Sequence, residues 1–143
     1  MLYRLDELAT LAAELGLETR RVDADRLDVI IDDAVLAFCN VRRDADSRIG
    51  FEGTPWHAHD HVNFMTGQDT YLECDELEIL VGLRSGELLI VSEFVGGVLR
   101  DRWITHRDEP LKLHYIEPGD ELRIRRVGGS PSPNRSAERG VWQ

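Results

Sequence analysis

Cysteine is scarce in this chain, present only as Cys39 and Cys74, and that scarcity excludes a disulfide-stapled scaffold. No apolar run approaches the ~18–20 residues of a membrane-spanning helix. Positive charge is also in deficit: 17 Lys and Arg face 27 Asp and Glu, a formal net charge of -10. A field of that sign repels phosphate backbones, so neither nucleic acid nor an anionic membrane is the expected partner. Missing too are a Gly-x-Ser-x-Gly elbow, a phosphate-binding glycine loop and a paired-cysteine zinc motif. Their absence removes the commonest signatures of acyl transfer, nucleotide chemistry and structural zinc. The start, Met1-Leu2-Tyr3-Arg4-Leu5-Asp6-Glu7, lacks the basic-then-apolar layout of a signal peptide. With two thiols and no export signature, the expected setting is the cytoplasm, with both cysteines reduced.

What remains is a folded domain of ordinary size. In 143 residues, 42% hydrophobic and 31% charged side chains supply enough apolar material for a core and enough charge to stay soluble. The acidic balance favours basic protein surfaces or cations as partners.

Leu5, Leu8, Leu11, Ala12 and Leu15 recur at helical spacing, with Asp6, Glu7, Thr10 and Glu14 opposite and Gly16 at the stop position. The period then changes to two. Segments 18–23 and 27–32 predict a hairpin around Asp23-Ala24-Asp25-Arg26, followed by strands over 34–42 and 47–53. Apolar residues on both faces of 34–42 predict an interior strand covered on each side. Thr70 and Glu73 fit a capping box for a second amphipathic helix bearing Leu77, Leu80 and Val81. Strands over 88–95 and 98–106 flank the Gly96-Gly97 turn, and strands over 111–117 and 121–127 flank Pro118-Gly119-Asp120. The expected fold is α+β: two short helices on a large, mostly antiparallel meander, in the order α-β-β-β-β, histidine loop, α-β-β-β-β. Residues 1–127 form the domain, and 128–143 are expected to be a disordered tail.

The stretch Gly53 to His61 carries three of the five histidines and Trp56. Extended, it would put His57, His59 and His61 on one face, neighbours about 6.6–6.8 Å apart along the strand. The outer two would then be too far apart for one ion, while a helical segment would pair His57 with His61 and turn His59 away. Either geometry yields two ligands, with a third to come from His106, His114, Asp60 or Glu73. Cys74, near the second helix start, is surrounded by Glu73, Asp75 and Glu76, which oppose a thiolate; it and Cys39 read as packing residues. Phe94, Trp103 and Tyr115 sit at strand positions, and Trp56 and Trp103 are the candidate binding aromatics.

The leading expectation is a non-catalytic protein-binding, inhibitor or accessory module with a basic protein partner and no cofactor. The alternative is a hydrolase-like enzyme using a divalent metal held by His57 and His59 with His61 or His106. Edge strands of an open meander offer a route to a homodimer.

Overall fold

Leu5, Leu8 and Ala12 are buried along one face of α1 (Leu5–Glu14), as their spacing requires. The helix stops because Gly16 takes φ +74°, letting its N–H reach the Ala13 carbonyl and the Leu17 N–H reach that of Ala12. This pair of bonds closes the last turn and satisfies carbonyls the helix would otherwise leave unpaired. The computed structural model describes residues 1–109, 119–128 and 135–136.

After α1 the chain lays down an antiparallel meander: β1 (Glu18–Asp23), β2 (Arg26–Ile31), β3 (Ala34–Val41), a 3₁₀ turn (Arg42–Asp44), β4 (Asp46–Phe51) and β5 (His57–His59). Leu27, Val29, Ile31, Leu36, Phe38, Ile49 and Phe51 point to one face and are buried beneath the helices. A hairpin follows, β6 (Val62–Gly67) with β7 (Thr70–Cys74), then α2 (Glu76–Ser85). The second sheet contains β8 (Leu88–Val95), β9 (Val98–His106), β10 (Glu121–Arg125) and β11 (Arg135–Ser136), in the order β11-β10-β8-β9. The architecture is α+β, with every paired strand antiparallel among the described residues.

Four details depart from the sequence-based expectation. The histidine stretch is not a loop between halves: residues 57–59 add a fifth strand to the first sheet. Thr70 does not cap α2, because 62–74 is a hairpin turning at Asp69, which adopts φ +67°. The cap is Asp75, whose carboxylate accepts from the Glu78 N–H at 2.8 Å while its own N–H donates to the Glu78 side chain at 3.1 Å. β3 is covered on one face only: Ala34, Leu36 and Phe38 are buried, while Val35, Ala37, Cys39 and Val41 are half-buried or exposed. Finally, β10 lies beside β8 and not beside β9, so the meander order holds only in the first sheet. The expected strand over 111–117, His114, Tyr115 and most of the segment 128–143 lie outside the described residues. Within that segment, Arg135–Ser136 pair with Leu122 and Glu121.

One core joins both sheets and both helices, running from Leu8 and Ala12 through Phe38 and Ile49 to Leu80, Leu83, Leu88 and Ile90. A polar tie crosses the same seam. Arg125 reaches Asp33 at 2.6 Å and Asp32 at 3.6 Å, and the buried Arg102 donates to Ser92 Oγ at 2.9 Å and lies 3.6 Å from Asp33. Burial pushes the Arg102 pKa down, and Asp33 opposes that by attraction. No helix among the described residues is long and apolar enough to cross a membrane.

Candidate functional site

The histidine stretch is fixed to both sheets. The Trp56 N–H donates to Asp101 Oδ1 on β9 at 3.0 Å, and its ring lies tilted against Phe51 with centroids 6.1 Å apart. Pairing of β5 with β4 sets His57 opposite Gly50 and His59 opposite Arg48, on the face of the sheet turned away from the core. Their rings meet edge-on, 5.2 Å between centroids. His57 Nδ1 donates to the Pro55 carbonyl at 3.1 Å, and His59 Nδ1 lies 3.1 Å from Asp46 Oδ2.

His61 leaves that row. Asp60 takes φ +56°, in the left-handed region, and turns the chain between β5 and β6. His61 Nδ1 then donates to Glu73 Oε1 on β7 at 2.8 Å, and this hydrogen bond raises the His61 pKa above the ordinary histidine value. His106 lies elsewhere again, buried at the end of β9 opposite Leu88; its Nδ1 accepts from the Asp108 N–H at 3.1 Å. The structure therefore brings together His57 and His59, separates His61 and His106 from them, and gives each a different partner. Among the described residues, no three His, Cys, Asp or Glu side chains are grouped so as to hold a metal ion.

The two tryptophans also part company. Trp56 packs on the main core, whereas Trp103, opposite Val91 on β9, packs on a second cluster of Val91, Leu122 and Ile124. Cys74 is buried in the main core, which pushes its thiol pKa up to about 11 and leaves it a packing residue.

Two concave surfaces that single-residue reading did not single out stand beside these positions. The first, about 350 Å³, lies on the outer face of the five-stranded sheet, where Ala37, Cys39 and Gly50 form a low floor between Arg26, Arg48 and Trp56. The floor is low because small residues at alternate positions of β3 face a glycine on β4. Gly50 is required there: a Cβ would sit 2.9 Å from the Trp56 carbonyl oxygen. Beneath one wall, Asp28 is fully buried under Arg26 Nε at 2.7 Å and Arg20 Nη2 at 2.9 Å. Burial alone would raise the Asp28 pKa, but those two hydrogen bonds outweigh it and hold the carboxyl below its ordinary value.

The second concavity, also about 350 Å³, lies where α1 meets α2. Leu11 and Leu77 floor it, and Asp6, Glu7, Thr10 and Glu14 border it along α1. The sequence pattern places those polar residues on one face of α1, yet the groove exists only because α2 lies alongside, which no local pattern states. Ala37 and Cys39, small residues two apart on β3, are a local signal for the first surface, but their alignment with Gly50 comes only from the register.

Comparison with known protein families, with curated proteins and with solved structures yields no match to this chain.

Proposed function

We propose that this protein is a non-catalytic binding module whose α1–α2 groove takes a basic, amphipathic segment of a partner protein. The observation that carries the reading is the pairing of an apolar floor, Leu11 and Leu77, with the carboxylates of Glu7 and Glu14, beside Asp6, which Arg21 already meets at 2.8 Å. An amphipathic segment would bury its apolar face on the two leucines and set Lys or Arg against the rim, a helix-in-groove arrangement. Among the described residues Glu14 has no ion pair, and the Glu7 carboxylate meets only Arg4, at an exposed 3.7 Å. Both stand ready for a partner's cation. Close by, Val81 is a further apolar side chain on α2, 48% exposed.

The four described histidines support this reading over metal-dependent hydrolysis, since each is hydrogen-bonded to a different group and His61 and His106 lie apart from the His57–His59 pair. The net charge of -10 disfavours nucleic acid as the partner. A reducing, cytoplasmic setting belongs to the same proposal, and both thiols are free. Self-association along β1 is the less favoured mode, because that edge exposes Arg20 and Arg21, charges of the kind that guard strand edges.

The test uses a fluorescent synthetic helix of leucine and lysine, with a leucine–glutamate helix of the same pattern as control. Anisotropy should rise for the lysine helix, and the affinity should fall as salt is added. Replacing Glu7 and Glu14 by lysine together should weaken binding several-fold without lowering the melting temperature. Equal binding of the glutamate helix, or no response to the double charge reversal, would sink the proposal.

A further inference from the structure

The outer groove of the first sheet has a different chemistry, and the strand register shows why. One row runs straight across three strand pairings, Arg26 opposite Cys39, Cys39 opposite Arg48, and Arg48 opposite His59. The next row is Asp28, Ala37, Gly50 and His57. Two guanidinium groups thus flank a floor that has almost no side-chain height.

Their circumstances differ. Arg26 is held by Asp28, and its Nη2 lies 3.5 Å from Glu52. Arg48 forms no ion pair and no side-chain hydrogen bond among the described residues. A free guanidinium is conspicuous in a chain with 27 acidic and 17 basic side chains, where carboxylate partners abound. Its row neighbour Cys39 does not repel an anion, because burial pushes that thiol pKa up and keeps it protonated at neutral pH. Trp56 lines the same groove, and the volume, about 350 Å³, falls at the small end of the range for small-molecule sites.

We infer that this groove is a second binding site, for a small flat anion of the aromatic carboxylate class. The carboxylate would pair with the fork of Arg48, and the ring would lie over Ala37, Cys39 and Gly50 against Trp56. Arginine suits this because its planar donors match a carboxylate two bonds at a time, which a lysine cannot reproduce. The glycine and alanine let a ring approach the sheet backbone closely. The occupant is chosen by charge complementarity: the Glu52 carboxylate also lines the groove, but Arg26 faces it at 3.5 Å, which leaves Arg48 as the unpaired cation beside the low floor and Trp56. This inference does not depend on the helix groove, which lies on another surface and carries the opposite charge.

The probe is 2-naphthoate, with the uncharged 2-naphthalenemethanol as its control, added to the full chain and followed by NMR. Saturable shifts are expected at the Cys39 and Gly50 amides and at the Trp56 indole N–H. Arg48→Glu should weaken naphthoate binding at least tenfold, and Arg48→Lys should lie between it and the parent chain. Because Arg48 is exposed, both variants should keep the parent spectrum elsewhere. Naphthoate should also slow alkylation of Cys39 by iodoacetamide in the parent and not in Arg48→Glu. The inference is overturned if no saturable shift occurs up to the solubility of the probe. Equal binding of the alcohol, an unchanged affinity in Arg48→Glu, or shifts confined to Leu11 and Leu77 would each overturn it as well.

Discussion

The two grooves have similar volumes, about 350 Å³ each, and are made in opposite ways. Between α1 and α2 the depression follows from two convex helices lying side by side, so its floor is whatever apolar side chain each helix turns toward the other. Its rim is acidic because the exposed face of α1 is acidic. On the sheet the depression is made by subtraction: Ala37, Cys39 and Gly50 are short where their row neighbours Arg26, Arg48 and His57 are long. Its charge is set by which residues the register brings into one row: Arg26, already facing Asp28 and Glu52, and the unpaired Arg48. A net charge of -10 therefore describes neither surface by itself. Bulk charge governs encounter and solubility, while local register governs what can be held.

Both surfaces rest on one core, and the largest expected effect removes their common support. Phe38 is fully buried at the centre of β3, with the Tyr3 ring edge-on at 5.6 Å. Phe38→Ala should cost about 3–5 kcal/mol through lost burial and the cavity left behind. Urea unfolding would measure it, and both probes, the lysine helix and naphthoate, should weaken together. Loss of one activity alone would show that the two surfaces do not share this support.

Next in size is Asp28→Ala, which acts beneath the sheet groove only. It strips Arg20 and Arg26 of the carboxylate they bond at 2.9 and 2.7 Å, at a cost of about 2 kcal/mol. The pH dependence sharpens the point. A carboxyl whose folded pKa is depressed stabilises the fold above its unfolded value near ~4, and that contribution is lost as pH falls through the folded pKa. Asp28 is such a group. The parent chain should thus lose stability below about pH 4 more steeply than the variant. Parallel acid limbs would show that the carboxylate contributes nothing there. Helix binding should be unaffected.

Gly50→Ala is the finer cut, expected to cost about 1–3 kcal/mol. The added Cβ has to push the Trp56 carbonyl, 2.9 Å away, and His57 Cβ, 3.4 Å away. It both raises the groove floor and displaces β5. Naphthoate binding should fall more than stability does, and the lysine helix should bind as before. A variant that binds naphthoate normally would show that the ring does not lie over Gly50.

How far these features were readable follows from what kind of interaction makes each one. α1 was legible because Leu5, Leu8 and Ala12 repeat at the period of the helix, and the stop at Gly16 has a local cause. The β8–β9 hairpin was legible because Gly96 and Gly97 both supply the positive φ its turn needs. The segment from 57 to 74 was not, because its turns use Asp60 and Asp69 at positive φ where glycine would have signalled them. Thr70 and Glu73 imitate a cap, and the cap that forms, Asp75 with Glu78, has the same spacing five residues later. At the histidines, the extended alternative was right for His57 and His59 and ended at Asp60. Arg48 and Gly50 drew no notice because nothing in their own neighbourhood marks them. They matter through strands that pair with theirs across the sheet, and that is information only the register contains.

The smallest expected effect tests whether the third histidine belongs with the other two. His61 donates to Glu73 across the β6–β7 hairpin and has its pKa raised mainly by that hydrogen bond. A histidine with a raised folded pKa stabilises the fold fully below its unfolded value near ~6.5, and the contribution disappears as pH rises through the folded pKa. Both side chains are substantially exposed, 37% and 62%, so the stability change should be hard to detect by unfolding. The titration itself is the better measurement. Proton NMR should place the His61 midpoint above ~6.5 in the parent, and Glu73→Gln should bring it down. The same substitution should leave naphthoate binding untouched, since His61 is turned out of the row that holds His57 and His59. If Glu73→Gln instead altered naphthoate affinity, the turn at Asp60 would couple the hairpin to the sheet groove. The separation of the two histidine environments would then fail.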